Sequence, residues 1–369
     1  MKKKIMFFIN TLAGGGAERV LVNLLKVLDL NKYDITVITI FGGENFKYIP
    51  REVKVRQIIK KNNVFTCYYN KIIHKIPRSW FAALFLKGDF DIEISYLPGF
   101  PTRVLAAKKS NPGTKKYAFI HGKIEESSLK IVCYSNKDKC RAEYERFDKV
   151  CFVSEDAKNC LENCIGKLPN AEVVHNVINI EEIINKSKES TEIAYKTNGT
   201  KFIAVGRLVE VKGFERLLEV VKELNKSYDF ELWILGQGHL YEKMSKYIRE
   251  NDLINVSLLG YQDNPYKYVK QADYFVCSSY SEGYSTAALE ALMVGTPIIT
   301  TDCPGMKEII KKDKYGIIVE NSKEGIKEGL ELVMKNKEFG GKITNNVIEC
   351  NKDKSLNSDL NKYLELFDA

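Results

Sequence analysis

Glu282 and Glu290 frame the stretch of this chain with the most chemical content, residues 281–305, SEGYSTAALEALMVGTPIITTDCPG. Glu282 stands just before a predicted helix and Glu290 lies inside it. Between them, Gly283, Tyr284, Ser285 and Thr286 suit an exposed loop and a helix N-cap. A helix N-terminus offers unpaired N–H groups and the positive end of a dipole, a natural seat for phosphate. Carboxylates beside that seat would repel a phosphate; they are better placed to accept hydrogen bonds from hydroxyl groups joined to it. A phosphate with hydroxyl-rich groups on both sides is a nucleotide sugar. Ser285 to Glu290 spans about 7–8 Å along a helix axis, which matches the reach from a diphosphate to the ribose of the same nucleotide. Glu282 faces the other way, toward the sugar. On its own, the E-x7-E spacing also fits an amphipathic helix with a solvated Glu290.

Other residues could share that chemistry. Gly206-Arg207-Leu208 closes a predicted strand at 202–205, and Lys212-Gly213 opens the next helix. Two cations at a strand end can reach one diphosphate, Arg through forked hydrogen bonds and Lys as a point charge. Gly14-Gly15-Gly16, followed by Ala17-Glu18-Arg19, lets backbone approach a ligand closely but lacks the G-x-G-x-x-G spacing of a dinucleotide fold. Glu18 and Arg19 either contact an acceptor or only start the helix. His121 ends a strand at 116–121. Tyr261 follows a strand at 256–259, where it could stack on a base or simply pack. Asp89-Phe90-Asp91 has a metal-binding form, but it precedes Ile92-Glu93-Ile94 and so is read as the start of a strand. No metal site is expected.

Residues 281–305, with these further motifs in order along essentially the whole chain, resemble the retaining GT-B glycosyltransferases of family four, the glycosyl transferases group 1. The resemblance implies that Glu282 holds the donor sugar, Glu290 the ribose, and Gly283, Tyr284, Ser285 and Thr286 the diphosphate. It implies diphosphate contacts for Arg207 and Lys212. It also implies a sugar-facing or charge-stabilising role for His121, backbone contacts to the base near Tyr261, and close approach to diphosphate or acceptor at Gly15 and Gly16. The implied α/β fold is GT-B, two facing Rossmann-like domains with an interdomain cleft. These would span 1–175 on the acceptor side and 176–355 on the donor side, with a terminal helix at 356–369 packing back onto the first.

The implied activity moves a hexose-type sugar, with retention, from a nucleotide diphosphate sugar (a UDP-sugar) to a saccharide or lipid-linked saccharide in surface polysaccharide biosynthesis. Neither metal nor cofactor takes part. The donor phosphate would help deprotonate the acceptor, so no general base is assigned. Two other classes fit the same residues: a GT-B nucleotide-sugar epimerase or phosphorylase, and a non-catalytic sugar-nucleotide-binding subunit.

Positioning these residues requires alternating strands and helices, read here as strands at 5–10, 35–41, 92–96, 116–121 and 149–153, then 202–205, 230–235, 256–259, 274–277 and 298–301. Residues 172–180 are read as the crossing between halves. A length of 369 residues suits two domains, and 44% hydrophobic with 28% charged residues is ordinary globular composition. The apolar run at 5–9 is too short for a secretory signal and leads into a glycine turn. Nine cysteines without paired ligand spacing point to free thiols in a reducing cytosol. The net charge of +8 is concentrated around Lys54, Arg56, Lys60, Lys61, Lys71, Lys75 and Arg78. Phe65, Tyr68, Tyr69, Trp80, Phe81 and Phe85 are interleaved with them. Such a segment can rest on an anionic membrane from the cytoplasmic side, or form a solvated face over core aromatics. No nucleic-acid motif accompanies it.

Overall fold

Short runs of Ile, Val and Phe that end in small or polar residues become parallel strands buried on both faces. A computed structural model describes residues 1–60, 73, 75–129, 136–311, 314–353 and 358–369. The chain divides into one unit of Met1–Asn179 with Asp359–Ala369 and a second of Ile180–Ser358.

The first unit holds β1 (Lys3–Ile9), β2 (Tyr33–Thr39), β3 (Lys54–Gln57), β4 (Ile92–Ser95), β5 (Lys115–Ile120), β6 (Lys149–Phe152) and β7 (Ala171–Val173). They pair in the order β3-β2-β1-β4-β5-β6-β7, every pair parallel. Alternation along β1 sends Ile5, Phe7 and Ile9 into one core with Leu21, Leu24 and Leu25. Met6 and Phe8 enter another with Phe81 and Leu105. The C-terminal helix Ser358–Asp368 closes the first of these cores with Tyr363 and Phe367. Two tyrosines pin that helix: Tyr33 donates to Asp368 at 2.8 Å and Tyr117 to the Leu366 carbonyl at 2.9 Å.

The second unit holds β8 (Thr200–Val205), β9 (Phe230–Leu235), β10 (Val256–Gly260), β11 (Tyr274–Cys277), β12 (Ile298–Thr301) and β13 (Gly316–Val319), in the order β10-β9-β8-β11-β12-β13. These pairs are also parallel.

The division between units falls after Asn179 rather than at 175/176. Val174 and Val177 still pack into the first core, so the chain leaves that unit only beyond them. The start of the segment read as a crossing is instead β7. Three strands went unread, β3, β7 and β13, and each is a sheet edge. β3 lacks the apolar run of an interior strand, with Lys54, Val55 and Arg56 all exposed, whereas β13 is itself a short apolar run, Gly316-Ile317-Ile318-Val319. The returning helix begins at Ser358, two residues later than read.

Among the described residues no helix is long and apolar enough to cross a membrane. Within the basic-aromatic segment, Lys61, Phe65, Tyr68, Tyr69 and Lys71 lie outside the described residues. Of the remainder, Phe81 is core while Trp80 is 68% exposed. Lys54 pairs with Asp34 and Arg56 caps the Lys87 carbonyl. Asp89 and Asp91 do precede β4, and both accept hydrogen bonds there: Asn111 donates to Asp89, and the Lys4 amide of β1 to Asp91.

Candidate active site

In an open parallel sheet, ligands bind beyond the carboxyl ends of strands where the strand order reverses. In the second unit that point lies between β8 and β11, and the second unit's predicted cations and carboxylates leave from or near it. Arg207 follows β8. A short 3-10 turn, Glu210–Lys212, then delivers Lys212, and Gly213, with φ +63°, starts the helix Phe214–Leu224. Glu282 follows β11. The two loops are stitched together, because Ser278 Oγ donates to the Lys212 carbonyl at 3.0 Å and the Tyr280 amide to the Val211 carbonyl at 2.8 Å. A side chain at Gly213 could not fit: its Cβ would stand 2.1 Å from the Ser278 carbonyl oxygen.

The stitching brings together two residues that lie far apart in sequence. Lys212 Nζ donates to Glu282 Oε1 at 2.7 Å, and the two side chains are 22% and 10% exposed. Ser279 Oγ donates to the same carboxylate oxygen. Burial opposes the charge on Lys212, but the Glu282 carboxylate outweighs it and raises the ammonium above its ordinary value. An ammonium has three donors, so Lys212 keeps hydrogens for a further anion. Arg207 is exposed, has no ion pair among the described residues, and is close enough to oppose the Lys212 charge.

The helix Thr286–Met293 starts beside this pair. Its N-cap Ser285 accepts from the Ala288 amide at 3.4 Å, so the Ser285 hydroxyl is already committed to the helix. The Thr286 and Ala287 N–H groups and the Thr286 hydroxyl remain for a ligand. Gly283 rests against Gly305, whose Cβ would lie 2.4 Å from the Gly283 carbonyl oxygen; the T-D-C-P-G turn after β12 therefore sets the height of the loop. Tyr284, Ser285 and Glu290 are buried, Glu290 about one turn in from the helix start, and Gly283 and Thr286 are half-buried. Tyr261, after β10, is exposed.

The first unit has its own reversal of strand order, between β1 and β4. Gly14 (φ +98°) leads there to Gly15, the N-cap of helix Gly16–Val27. The Glu18 carboxylate folds over Gly15, its Oε2 lying 2.0 Å from where a Cβ would stand. That carboxylate makes the loop a poor seat for a second anion and a better one for hydroxyl groups. His121 follows β5, its ring centroid 4.5 Å from that of Tyr96 at the end of β4.

Two sequence profiles span most of the chain: Glycosyltransferase Family 4 matches residues 14–182 and Glycosyl transferases group 1 matches residues 185–352. The chain belongs to the group 1 glycosyltransferases. It is 27% identical over 350 residues, 90% of each chain, to N-acetylgalactosamine-N,N'-diacetylbacillosaminyl-diphospho-undecaprenol 4-alpha-N-acetylgalactosaminyltransferase of Campylobacter jejuni. A second Campylobacter jejuni enzyme, GalNAc-alpha-(1->4)-GalNAc-alpha-(1->3)-diNAcBac-PP-undecaprenol alpha-1,4-N-acetyl-D-galactosaminyltransferase, is 25% identical over 98% of each chain. Among solved structures, Anabaena HepE in complex with UDP and glucose superimposes with a TM-score of 0.72 at 15% identity, covering 98% of this chain and 99% of that one. The fold is thus GT-B, and the protein is a transferase.

The glycosyltransferase carries an imidazole that stays neutral. His121 as a whole is half-buried, but both ring nitrogens are shut off from solvent and neither makes a well-formed hydrogen bond. Burial pushes its pKa down to about 4, with the nearby Asn176 amide opposing weakly. A neutral ring does not repel a positively charged reacting centre. It also gives stability a pH dependence. The unfolded histidine takes a proton near its ordinary 6.5 and the folded one only near 4, so stability falls as pH drops through that window. His121 should account for a loss on the order of 2 kcal/mol between about pH 7 and pH 5. Urea midpoints at the two pH values should differ less in His121→Phe than in the unaltered glycosyltransferase; equal differences would refute the buried, neutral ring.

Two buried charges in the second unit, Glu231 and Arg216, escaped sequence reasoning. Arg216, on the first turn of the helix after Gly213, is 6% exposed. The F-E-R-L-L-E-V pattern reads as an amphipathic helix with Arg216 in solvent, and its partners, Ser278, Ser279 and Asn321, are remote in sequence.

Proposed function

We propose that this glycosyltransferase is a retaining, metal-independent enzyme that moves a hexose-type sugar from a UDP-sugar to a saccharide or lipid-linked saccharide. The observation that carries the reading is the Lys212–Glu282 pair at the β8/β11 reversal, with Arg207 near Lys212 and the N-terminus of helix Thr286–Met293 following Glu282 in the chain. That arrangement supplies positive charge for a diphosphate and carboxylates for hydroxyls on either side of it.

Arg207, Lys212, the Thr286 hydroxyl and the backbone from Gly283 to Thr286 take the diphosphate, with Tyr284 packed beneath the loop. As the bond to the sugar breaks, negative charge grows on the leaving diphosphate, and these groups are already oriented toward it. Preorganised stabilisation of this kind is usually the largest contribution to such a rate. Glu282, held by Lys212 and Ser279, accepts from the sugar hydroxyls. Glu290 accepts from the ribose, and the loop at Tyr261 borders the base. We assign neutral His121 to the sugar, and Gly15 and Gly16 with Glu18 to acceptor hydroxyls.

The acceptor class is suggested by the two Campylobacter relatives, whose names describe transfer to undecaprenol-linked saccharides. A role in surface polysaccharide biosynthesis, at the inner face of the membrane, accords with the exposed Trp80, Leu84 and Phe85 on helix Arg78–Phe85.

The test is transfer from a panel of UDP-, GDP- and ADP-sugars to undecaprenyl diphosphate-linked saccharides, with the anomeric configuration of the product read by NMR. A retained configuration with a UDP-sugar is expected. Donor interconversion without acceptor would point instead to an epimerase, and a phosphate requirement to a phosphorylase.

A further inference from the structure

The buried guanidinium of Arg216 is held by backbone carbonyls of the loop that carries Glu282 and by Asn321. Nε and Nη2 both donate to the Ser278 carbonyl, at 3.0 and 2.8 Å, and Nη2 also reaches the Ser279 carbonyl at 2.9 Å. Asn321, after β13, supplies Oδ1 at 2.7 Å and its carbonyl at 3.4 Å. The Tyr280 ring lies over the guanidinium carbon at 3.8 Å. Among the described residues no carboxylate pairs with this cation. A buried charge without a counter-ion is costly, and a helix surface offers many sites where an arginine would avoid that cost.

What the charge accomplishes is local. The Ser279 carbonyl also accepts from Thr301 Oγ1 at 2.6 Å and Cys303 Sγ at 2.9 Å, so donors from the helix after β8 and from the end of β12 fix one peptide. The Ser279 side chain points from that fixed residue to Glu282 Oε1. On the other flank, Ser278 Oγ holds the Lys212 carbonyl. Arg216 therefore sits behind both members of the ion pair, one residue removed from each.

We propose that Arg216 is a positioning residue for sugar transfer, acting through Ser278 and Ser279 to hold Glu282 and Lys212 in register. It does not touch substrate. The inference rests on the functional reading above, which donor turnover by the unaltered enzyme tests separately.

Arg216→Lys keeps the charge but loses the fork that spans two carbonyls. It should lower kcat about 10-fold while donor KM changes less than about 3-fold, since Arg207, Glu290 and the N-terminus of helix Thr286–Met293, which Arg216 does not hold, still bind the donor. The decisive readout is coupling. In a Glu282→Gln background, Arg216→Lys should cost less than about 2-fold more, because the Lys212–Glu282 ion pair whose register it sets is already broken. Ser279→Ala, a milder change in case Arg216→Lys does not fold, should show the same coupling to Glu282→Gln. Unchanged kcat in Arg216→Lys, or losses that simply multiply in the double variants, would overturn the proposal and leave Arg216 as a fold-supporting residue. Absence of turnover by the unaltered enzyme would overturn the functional reading, and the inference with it.

Discussion

Lys212→Ala should lower kcat for sugar transfer about 10²- to 10³-fold, the usual consequence of removing one preorganised donor from a developing anion. Lys212 is placed by a chain of local constraints: the 3-10 turn, the left-handed Gly213 and the Ser278 bond to its carbonyl. None of these is disturbed by truncating the side chain. The variant should therefore fold, but at a cost. It leaves the Glu282 carboxylate, 10% exposed, with Ser279 and without its cation. Stranding a buried charge in this way costs about 3–5 kcal/mol when burial is complete; partial exposure of this pair puts the expected loss nearer about 1–2 kcal/mol. Adding Glu282→Gln should recover that stability while leaving transfer low. Steady-state kinetics alongside chemical denaturation separates the two effects, and near-normal kcat in Lys212→Ala would remove the diphosphate assignment.

Glu290→Ala should have a different signature. A carboxylate that accepts from ribose hydroxyls binds ground state and transition state alike, so its loss should raise donor KM and leave kcat nearly unchanged. Hydrogen bonds to a charged group are worth about 1.5–3 kcal/mol, which corresponds to about 10- to 100-fold in affinity. UDP alone should lose affinity by the same factor, because the ribose is common to both ligands. A variant that loses kcat instead would mean that Glu290 belongs to the sugar side of the site.

Much of the second unit was legible because its interior strands are apolar runs that end at chemistry-bearing residues. β11 and β12 coincide with the ranges read from sequence, and Gly206-Arg207, Leu259-Gly260-Tyr261 and residues 281–286 all lie at or after the carboxyl ends of strands of this sheet. β3 was illegible for the same reason in reverse: with Lys54, Val55 and Arg56 exposed, it carries no apolar run. Glu93 shows a second kind of failure. Ile92-Glu93-Ile94 alternates like a half-exposed strand, yet β4 is central and Glu93 is buried against Lys108 and Ser110.

The site was legible residue by residue and not as an assembly. Lys212 and Glu282 were each assigned to a donor, one to its diphosphate and one to its sugar. That they bond to each other, 70 residues apart in sequence, follows only from the adjacency of β8 and β11, which no local pattern pairs. Arg216 is hidden by the same adjacency. The glycine loop at residues 14–16 was read as a diphosphate or acceptor contact; Glu18 folded over Gly15 favours the acceptor.

The central claim is that the β8/β11 reversal binds the diphosphate of a sugar nucleotide, and calorimetric titration of UDP into the full chain tests it most directly. The account predicts saturable binding at one site per chain, weakened about 10-fold or more by Lys212→Ala and by Glu290→Ala. No binding by UDP or by any UDP-, GDP- or ADP-sugar, or binding that both substitutions leave untouched, would contradict it.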